Sequence, residues 1–496
     1  MRLGLMSSRA RDDTLNVIPS AQNSSLEAVR VSEVLAALSF ALDLTEGQPM
    51  GHSLRSCLIG MEIADRLGLP LHDRRDLYYA LLLKDVGCSS NSARVFELFG
   101  GDERLTKHDL KRVDWANYFK AMRYMFSHTM PSAPWFQRAR RIVSLARAGS
   151  AVATDLIERR CERGAAIVTQ IGLGARVADG VRSLDEHWDG SGQPRGLMHA
   201  AIPLQARILC LAQTLEVFTA LEGAAAALEV AEQRSGRWFD PTLVSACRGM
   251  QPALASWRDL GEAALRHEVA EREPGGAVLL AGPGTLDRIA LGFAEVVDAK
   301  SPFTAQHSFR VTHYALEIAT RIGFDERERS DLRRAALLHD IGKLSVPNAV
   351  LDKPGSLSNE EWEAVRLHPY YTLRILLHVR GFQQIAQVAA SHHERLDGRG
   401  YFRGLRGEQV PLAAQVIAAA DIFEALSSPR PYRPALPEDT ALQIMERDRR
   451  VGICDACLDA LGEVVRGETA DDVEHPLPGD DGESGAMADD AERRAA

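Results

Sequence analysis

The chain has 496 residues, 45% of them hydrophobic and 25% charged, an ordinary globular composition with room for about three domains of usual size. This argues against a collagen-like, wholly disordered or disulfide-scaffold chain. A net charge of −10 offers no general basic field for nucleic acid, yet it does not exclude an anionic substrate, because a bound metal can supply positive charge locally. The seven cysteines are scattered and odd in number, and no signal peptide opens the chain, so a reduced, cytoplasmic setting is expected. No run approaches the roughly 18 apolar residues of a membrane helix, so no membrane partner is expected.

Residues 1–25 are polar and poorly patterned and read as a loose arm. From Leu26 the pattern turns helical, with Leu26, Val29, Val34, Leu35 and Leu38 on one face. Helical patterns continue to about residue 270. The stretch EREPGGAVLLAGPG (271–284) reads as a linker. A second helical block covers 285–467. The acidic segment 468–496 has no aromatics and too little apolar surface to offset ordering, so disorder is expected. Strand signals are sparse. The expected fold class is all-α, with tandem helical domains at 26–270 and 285–467.

The two blocks are copies of one another. His52 lies 32 residues before Lys84-Asp85, and His307 lies 32 residues before His339-Asp340. LYYALLLKDVG (77–87) matches LRRAALLHDIG (332–342), and EHWDGSGQPRGL (186–197) matches ERLDGRGYFRGL (394–405). Order and spacing agree together, which marks a tandem duplication. The offset between copies changes from 255 to 208, so the first carries roughly 47 extra residues, between about 90 and 155. Within them, GGDE (100–103) lacks the strand-rich context of a cyclic-dinucleotide synthase.

Seven of the 15 histidines fall between His307 and His393. His307 opens a helix, and His339-Asp340 ends one at Gly342. His368 follows a helix whose start, Ser358-Asn359-Glu360-Glu361, fits a capping box. His392-His393 precede a glycine-rich loop. Asp421 sits in the Ala-rich helix LAAQVIAAADIFEALSS, where an unpaired buried carboxylate would cost several kcal/mol. A buried cation resolves that cost. Imidazole with carboxylate suits Fe, Mn, Zn or similar ions, and two ions about 3.5–4 Å apart can hold a hydroxide and clamp a phosphodiester. His313 and His378 fit no ligand position and read as structural. Cys454-x-x-Cys457 has no second partner pair and reads as part of a helix.

This arrangement resembles the HD-GYP family within the HD superfamily of metal-dependent phosphohydrolases. The resemblance rests on His307, LLHDIGKL (337–344), LDKPGSLSNEEW (351–362), His368-Pro369, SHHERLDGRGYFRGL (391–405) and AAADIFEALSSPRPYR (418–433), and spans nearly the whole second block. It implies a cyclic di-GMP phosphodiesterase that yields pGpG and then GMP. It implies two divalent ions, Fe or Mn, one held by His307, His339, Asp340 and Asp421. The other would be held by His368, His392 and His393, with Asp340 bridging. Lys343 would lie near a phosphate oxygen or the leaving group. Gly400 and Tyr401 would form the signature loop, and Arg430 and Arg433 would contact phosphates. Two positions depart from the family pattern. Phe402 stands where the family has Pro, and Phe303 stands where three-metal members carry Glu, which favours two metals.

In the first block His52 and Asp85 persist, but Lys84, Arg160, Leu184, Asp185 and Gln213 stand at the positions of His339, His368, His392, His393 and Asp421. Cys88 stands in place of Lys343. Lys84 and Arg160 would repel a divalent cation and are expected to pair with Asp85, making this block a non-catalytic partner domain. The acidic segment after the second block carries no pattern of a DNA-binding helix-turn-helix, so no DNA partner is expected. The residues also admit a non-catalytic cyclic-dinucleotide sensor acting through the first block, and an HD phosphohydrolase acting on another nucleotide. A homodimer, a regulatory partner at the first block and an internal pseudo-dimer are all compatible with the duplication.

Overall fold

The computed structural model describes residues 29–467 apart from 112, 114–117, 132 and 277. The expected arm (1–25) and acidic tail (468–496) lie outside the described residues. Among the described residues the chain is helical throughout, with isolated β-bridges such as Arg30–Leu280 and no strand.

Each half repeats the same order of helices. Val31–Thr45, His52–Arg66, Leu71–Leu82 and Leu204–Glu222 correspond to Pro283–Asp298, His307–Arg321, Glu326–Leu338 and Leu412–Ser427. Local chemistry sets many of the ends. The Glu326 helix starts at a capping box in which Asp325 accepts from the Glu328 N–H and the Glu328 side chain accepts from the Asp325 N–H. The box read from Ser358 and Glu361 forms in the same way and starts the helix Asn359–Arg366.

The two halves share one contiguous apolar core. The Val31 helix of the first half packs on the helix His368–Leu376 and on the short 3₁₀ turn Ile341–Ser345 of the second. Polar contacts seal this boundary. Glu262 pairs with Arg374 at 2.9 Å and His378 at 2.9 Å, and the His378 ring lies 5.4 Å from that of Phe40. His378 is thus a boundary residue. The Leu204 helix has the length and mean hydropathy of a membrane span, a property the sequence reading did not credit to any segment. It lies mostly buried, packed between the His52 helix and the helix Ala224–Gln233, so its apolar character serves the core.

The extra residues of the first half build the helices Ser92–Phe99, Glu103–Leu110 and Tyr118–His128 and the front of a 37-residue helix, Trp135–Ile171. GGDE is the corner between the first two. Gly100 takes φ 65°, a left-handed conformation that glycine adopts without strain, and the Asp102 side chain caps the next helix by accepting from the Arg104 N–H at 2.9 Å.

Candidate metal centre

In the second half, four helix ends and the middle of a fifth helix bring seven side chains to one point. His307 begins its helix, and His339 and Asp340 follow the end of the Glu326 helix. His368 begins another, and His392 and His393 follow the helix Gln383–Ala390. Asp421 projects from the middle of the Leu412 helix. Gly342 permits this convergence, because a Cβ there would sit 1.9 Å from the His368 carbonyl oxygen. Gly87 plays the same part in the first half, against the Arg160 carbonyl at 2.0 Å.

The centre of the arrangement is the Asp340 carboxylate. Its Oδ2 lies 3.4 Å from His307 Nε2 and 3.3 Å from His339 Nε2. Its Oδ1 lies 3.3 Å from His368 Nε2 and 3.7 Å from His392 Nε2. His307, His339 and Asp421 form one group of donor atoms within 4.8 Å of one another, and His368, His392 and His393 form another. The carboxylate therefore lies between two tripods.

The surroundings prepare these atoms as ligands. The Nδ1–H groups of His339, His368 and His392 donate to the carbonyls of Ala336 (2.6 Å), Val365 (2.7 Å) and Ala389 (2.6 Å). This leaves each Nε2 with a lone pair aimed inward. His307 Nδ1 is held by Glu424 at 2.5 Å, and Glu424 is steadied in turn by Arg310 and Arg430. His307 Nε2, His339 Nε2 and Asp340 Oδ1 are buried without a well-aligned hydrogen bond. Orphaned inward-facing nitrogen and oxygen atoms of this kind fit a bound cation.

The electrostatics agree. Burial holds His368 and His392 well below the usual imidazole range and His393 at about 4, so all three are neutral at pH 7. For Asp340 burial acts upward, but His339 and Lys343 outweigh it and keep the group ionised, and His307 does the same for Asp421. Burial also opposes charge on His307, yet Asp340, Asp421 and Glu424 hold it well above its ordinary range. A proton there offsets the surrounding carboxylates, which is the work of a cation.

The remaining expected site residues are placed differently from one another. The Lys343 ammonium contacts Asp340 and is itself partly exposed. The Tyr401 ring packs 4.7 Å from the His393 ring, with the Arg366 guanidinium 5.4 Å above it. Gly400 lies against backbone, where a Cβ would come 2.5 Å from Glu394 Cα. Arg430 pairs with Glu424 at 2.9 Å. Arg433 donates to the carbonyls of Ala425, Leu426 (2.9 Å) and Pro434 (2.9 Å) and so closes the end of the Leu412 helix. Phe402 packs 6.0 Å from the Tyr370 ring. His313 is exposed beside Tyr314, away from the ligands.

Sequence reasoning missed Glu424, Arg310, Asp298 and Ser308. Asp298 accepts from the Ser308 N–H and hydroxyl at the mouth of the His307 helix. All four have identical counterparts at the duplication offsets: Glu216, Arg55, Asp43 and Ser53. Those counterparts bond alike, with Arg55 on Glu216 at 2.7 Å and the Ser53 hydroxyl on Asp43 at 2.7 Å. Residues kept in both copies were the available signal.

The first-half counterpart of the centre is filled by the protein's own cations. Lys84 Nζ lies 2.9 Å from His52 Nε2 and contacts Asp85 Oδ2, the atoms equivalent to His307 Nε2 and Asp340 Oδ2. The second cation at Asp85 differs from expectation. Arg160 turns to Asp185, and Lys111 of the insertion approaches Asp85 Oδ1 at 3.4 Å. Glu46, Asp85 and Cys88 lie close enough together to bind an ion. Glu46, however, is already met by Lys111 at 3.2 Å and Lys107 at 3.5 Å, and burial keeps the Cys88 thiol protonated.

Comparison with known proteins agrees with this geometry. The family model described as HD domain matches residues 140–243 and 293–458, a stretch in each half. The 3'3'-cGAMP-specific phosphodiesterase 3 of Vibrio cholerae is 42% identical over 431 residues, covering 87% of this chain and 94% of that protein. The cyclic di-GMP phosphodiesterase response regulator RpfG of Xanthomonas campestris is 38% identical over 179 residues, covering 36% of this chain and 46% of that protein. A crystal structure of a cyclic GMP-AMP-specific phosphodiesterase of V. cholerae superimposes with a TM-score of 0.61 at 36% identity, covering 88% of this chain and 98% of that one.

Proposed function

The chain belongs to the HD-GYP family of metal-dependent phosphodiesterases, and from that premise we propose that its second half opens a 3'3'-cyclic dinucleotide to a linear product. The observation that carries this reading is the Asp340 carboxylate, with one oxygen toward His307 and His339, which group with Asp421, and the other toward His368 and His392, which group with His393. His307, His339, Asp340 and Asp421 would hold one divalent ion. Asp340, His368, His392 and His393 would hold a second, and the mixed nitrogen and oxygen donors suit Fe or Mn. Bound there, two such ions neutralise phosphodiester charge and make water a stronger nucleophile.

The chain's own residues supply orientation. Glu424 and the three carbonyl acceptors keep the imidazoles in one tautomer. Lys343 Nζ stands where its ammonium can meet a phosphate oxygen, and Tyr401 closes the His393 side with a ring face suited to a nucleobase. In this reading Arg430 and Arg433 build the wall of the site through Glu424 and the helix end.

The leading substrate is 3'3'-cyclic GMP-AMP, because the relative of that specificity aligns along both halves of this chain. Cyclic di-GMP, the expectation from the motifs, comes second, since RpfG covers 36% of this chain. A cytoplasmic setting is supported by seven free cysteines. The test is chromatography of products from each dinucleotide with metal-loaded protein, beside Asp340→Ala. A linear dinucleotide from wild type alone supports the reading. Tight dinucleotide binding with no product would move it to the sensor role.

A further inference from the structure

One short helix of the first-half insertion touches, in both halves, the turn that follows the buried aspartate. In the second half this turn is Ile341–Ser345, directly after Asp340 and containing Lys343. In the first half its counterpart is Cys88–Asn91. The helix Glu103–Leu110 lies between them.

Its first residues face the second half. The Glu103 carboxylate is 0% exposed and meets Lys300, 1% exposed, at 3.3 Å across the boundary. The same carboxylate accepts the Asn348 N–H at 3.1 Å. Lys300 also donates to the Leu344 carbonyl at 3.2 Å, inside the turn. Asn348 Nδ2 donates to the Lys300 carbonyl at 2.7 Å, which closes the network. Arg104 donates to the Ser345 carbonyl. One turn later the helix faces the first half. Lys107 Nζ donates to the Cys88 carbonyl at 2.5 Å and the Ser92 hydroxyl at 2.8 Å.

We propose that Glu103 is a positioning residue for the reaction: through Lys300 and Asn348 it holds the turn that aims Asp340 and Lys343, so the insertion of the degenerate half completes the active centre of the other. The physical argument is one of satisfaction. Lys300 and the Asn348 N–H are buried polar groups, and an unpaired charge or donor there would be strongly unfavourable. The network that satisfies them also fixes a backbone segment adjoining a metal ligand. Such segments need placement to within a fraction of an ångström for turnover. The second half cannot supply this carboxylate, because it lacks the insertion.

The experiment uses the full chain and Glu103→Gln, Glu103→Asp and Arg104→Ala. Two readouts are taken: amide hydrogen exchange, and steady-state hydrolysis of bis(p-nitrophenyl) phosphate with metal content per chain. In Glu103→Gln, amides of residues 341–348 should exchange at least about tenfold faster while the Val31 and His52 helices stay as in wild type. Its kcat should fall roughly tenfold with KM and metal content within about twofold of wild type. Glu103→Asp should recover part of kcat, and Arg104→Ala, which leaves no buried charge behind, should lose about threefold at unchanged melting temperature. Unchanged exchange at 341–348 overturns the proposal, and so does a uniform loss of protection along the chain with no kcat-specific effect. If Glu103→Gln does not fold, the same readouts on Arg104→Ala decide. The exchange result stands whether or not any dinucleotide is cleaved, so failure here is separable from failure of the substrate reading.

Discussion

The two halves place a buried aspartate at the same point of the same fold and neutralise it by different means. Around Asp340 one ammonium, that of Lys343, is joined by four imidazoles, and the Nε2 atoms of His339 and His368 suit an external cation. Around Asp85 the neighbours are ammonium groups carried by Lys84 and Lys111. The second-sphere groups are the same on both sides, with Glu216 on His52 as Glu424 is on His307. A scaffold that buries an aspartate at this point can keep its shape when lysines stand beside it, because the electrostatic requirement is positive charge. What the first half lacks is the set of inward-facing imidazole nitrogens at the positions of His339, His368, His392 and His393.

Cutting the aspartate in each half gives the sharpest contrast. Asp340→Ala should lower phosphodiester turnover at least about a thousandfold and deplete bound metal. Asp85→Ala should leave metal content per chain at the wild-type value. Elemental analysis beside turnover checks both, and metal lost from Asp85→Ala would break the comparison. Removing the substitute cation comes next. Lys84→Met leaves Asp85 buried against a weakened partner set and should cost about 3–5 kcal/mol in urea unfolding with metal content unchanged.

Acid sharpens the comparison by a smaller amount. Burial holds His52, His378 and His393 at about 4, and His368 and His392 also below their ordinary range. Fewer groups act the other way: Asp43, raised to about 7 by burial, Asp298, raised to about 6 by burial, Asp331, also raised by burial, and His307. The metal-free folded chain thus binds fewer protons than the unfolded chain below about pH 6.5. Stability contributed by the depressed histidines is complete above that pH and is lost as pH falls toward 4, by about 1.4 kcal/mol per pH unit for each net proton. Urea midpoints of chelator-treated protein between pH 7 and 5 should fall, and Lys84→Met, which removes a cation that depresses His52, Asp43 and Asp85, should flatten the change. The smallest effect is expected at the second sphere. Glu424→Gln should weaken metal affinity about 10–100-fold, and Glu216→Gln should not change it. Competitive chelator titration measures both.

Much of the site could be read from spacing. The duplication was visible because two offsets recur over long segments, and the ligands because His and Asp at helix ends are costly without a partner. The supporting groups were less visible. Glu424 and Asp298 look like ordinary helical carboxylates, and only their recurrence as Glu216 and Asp43 marks them. Arg433 is expected at a phosphate from the resemblance, and the fold directs its guanidinium to the carbonyls of Leu426 and Pro434.

By itself the sequence determined the helical class and the twofold repeat, because these follow from periodicity and spacing, and it offered a candidate set of metal-holding side chains through the chemistry of imidazole and carboxylate and the resemblance to the HD-GYP family. Only the tertiary structure decided which cations stand at Asp85. Lys111 comes from an insertion with no counterpart in the other half, and Arg160 is drawn to Asp185. It alone also showed that Glu103, in a segment that looks like a detached insertion, is buried against Lys300 of the other half. The reason is physical. Burial and partnership of a charge depend on which distant backbones the core brings within about 3 Å, and no local pattern carries that information.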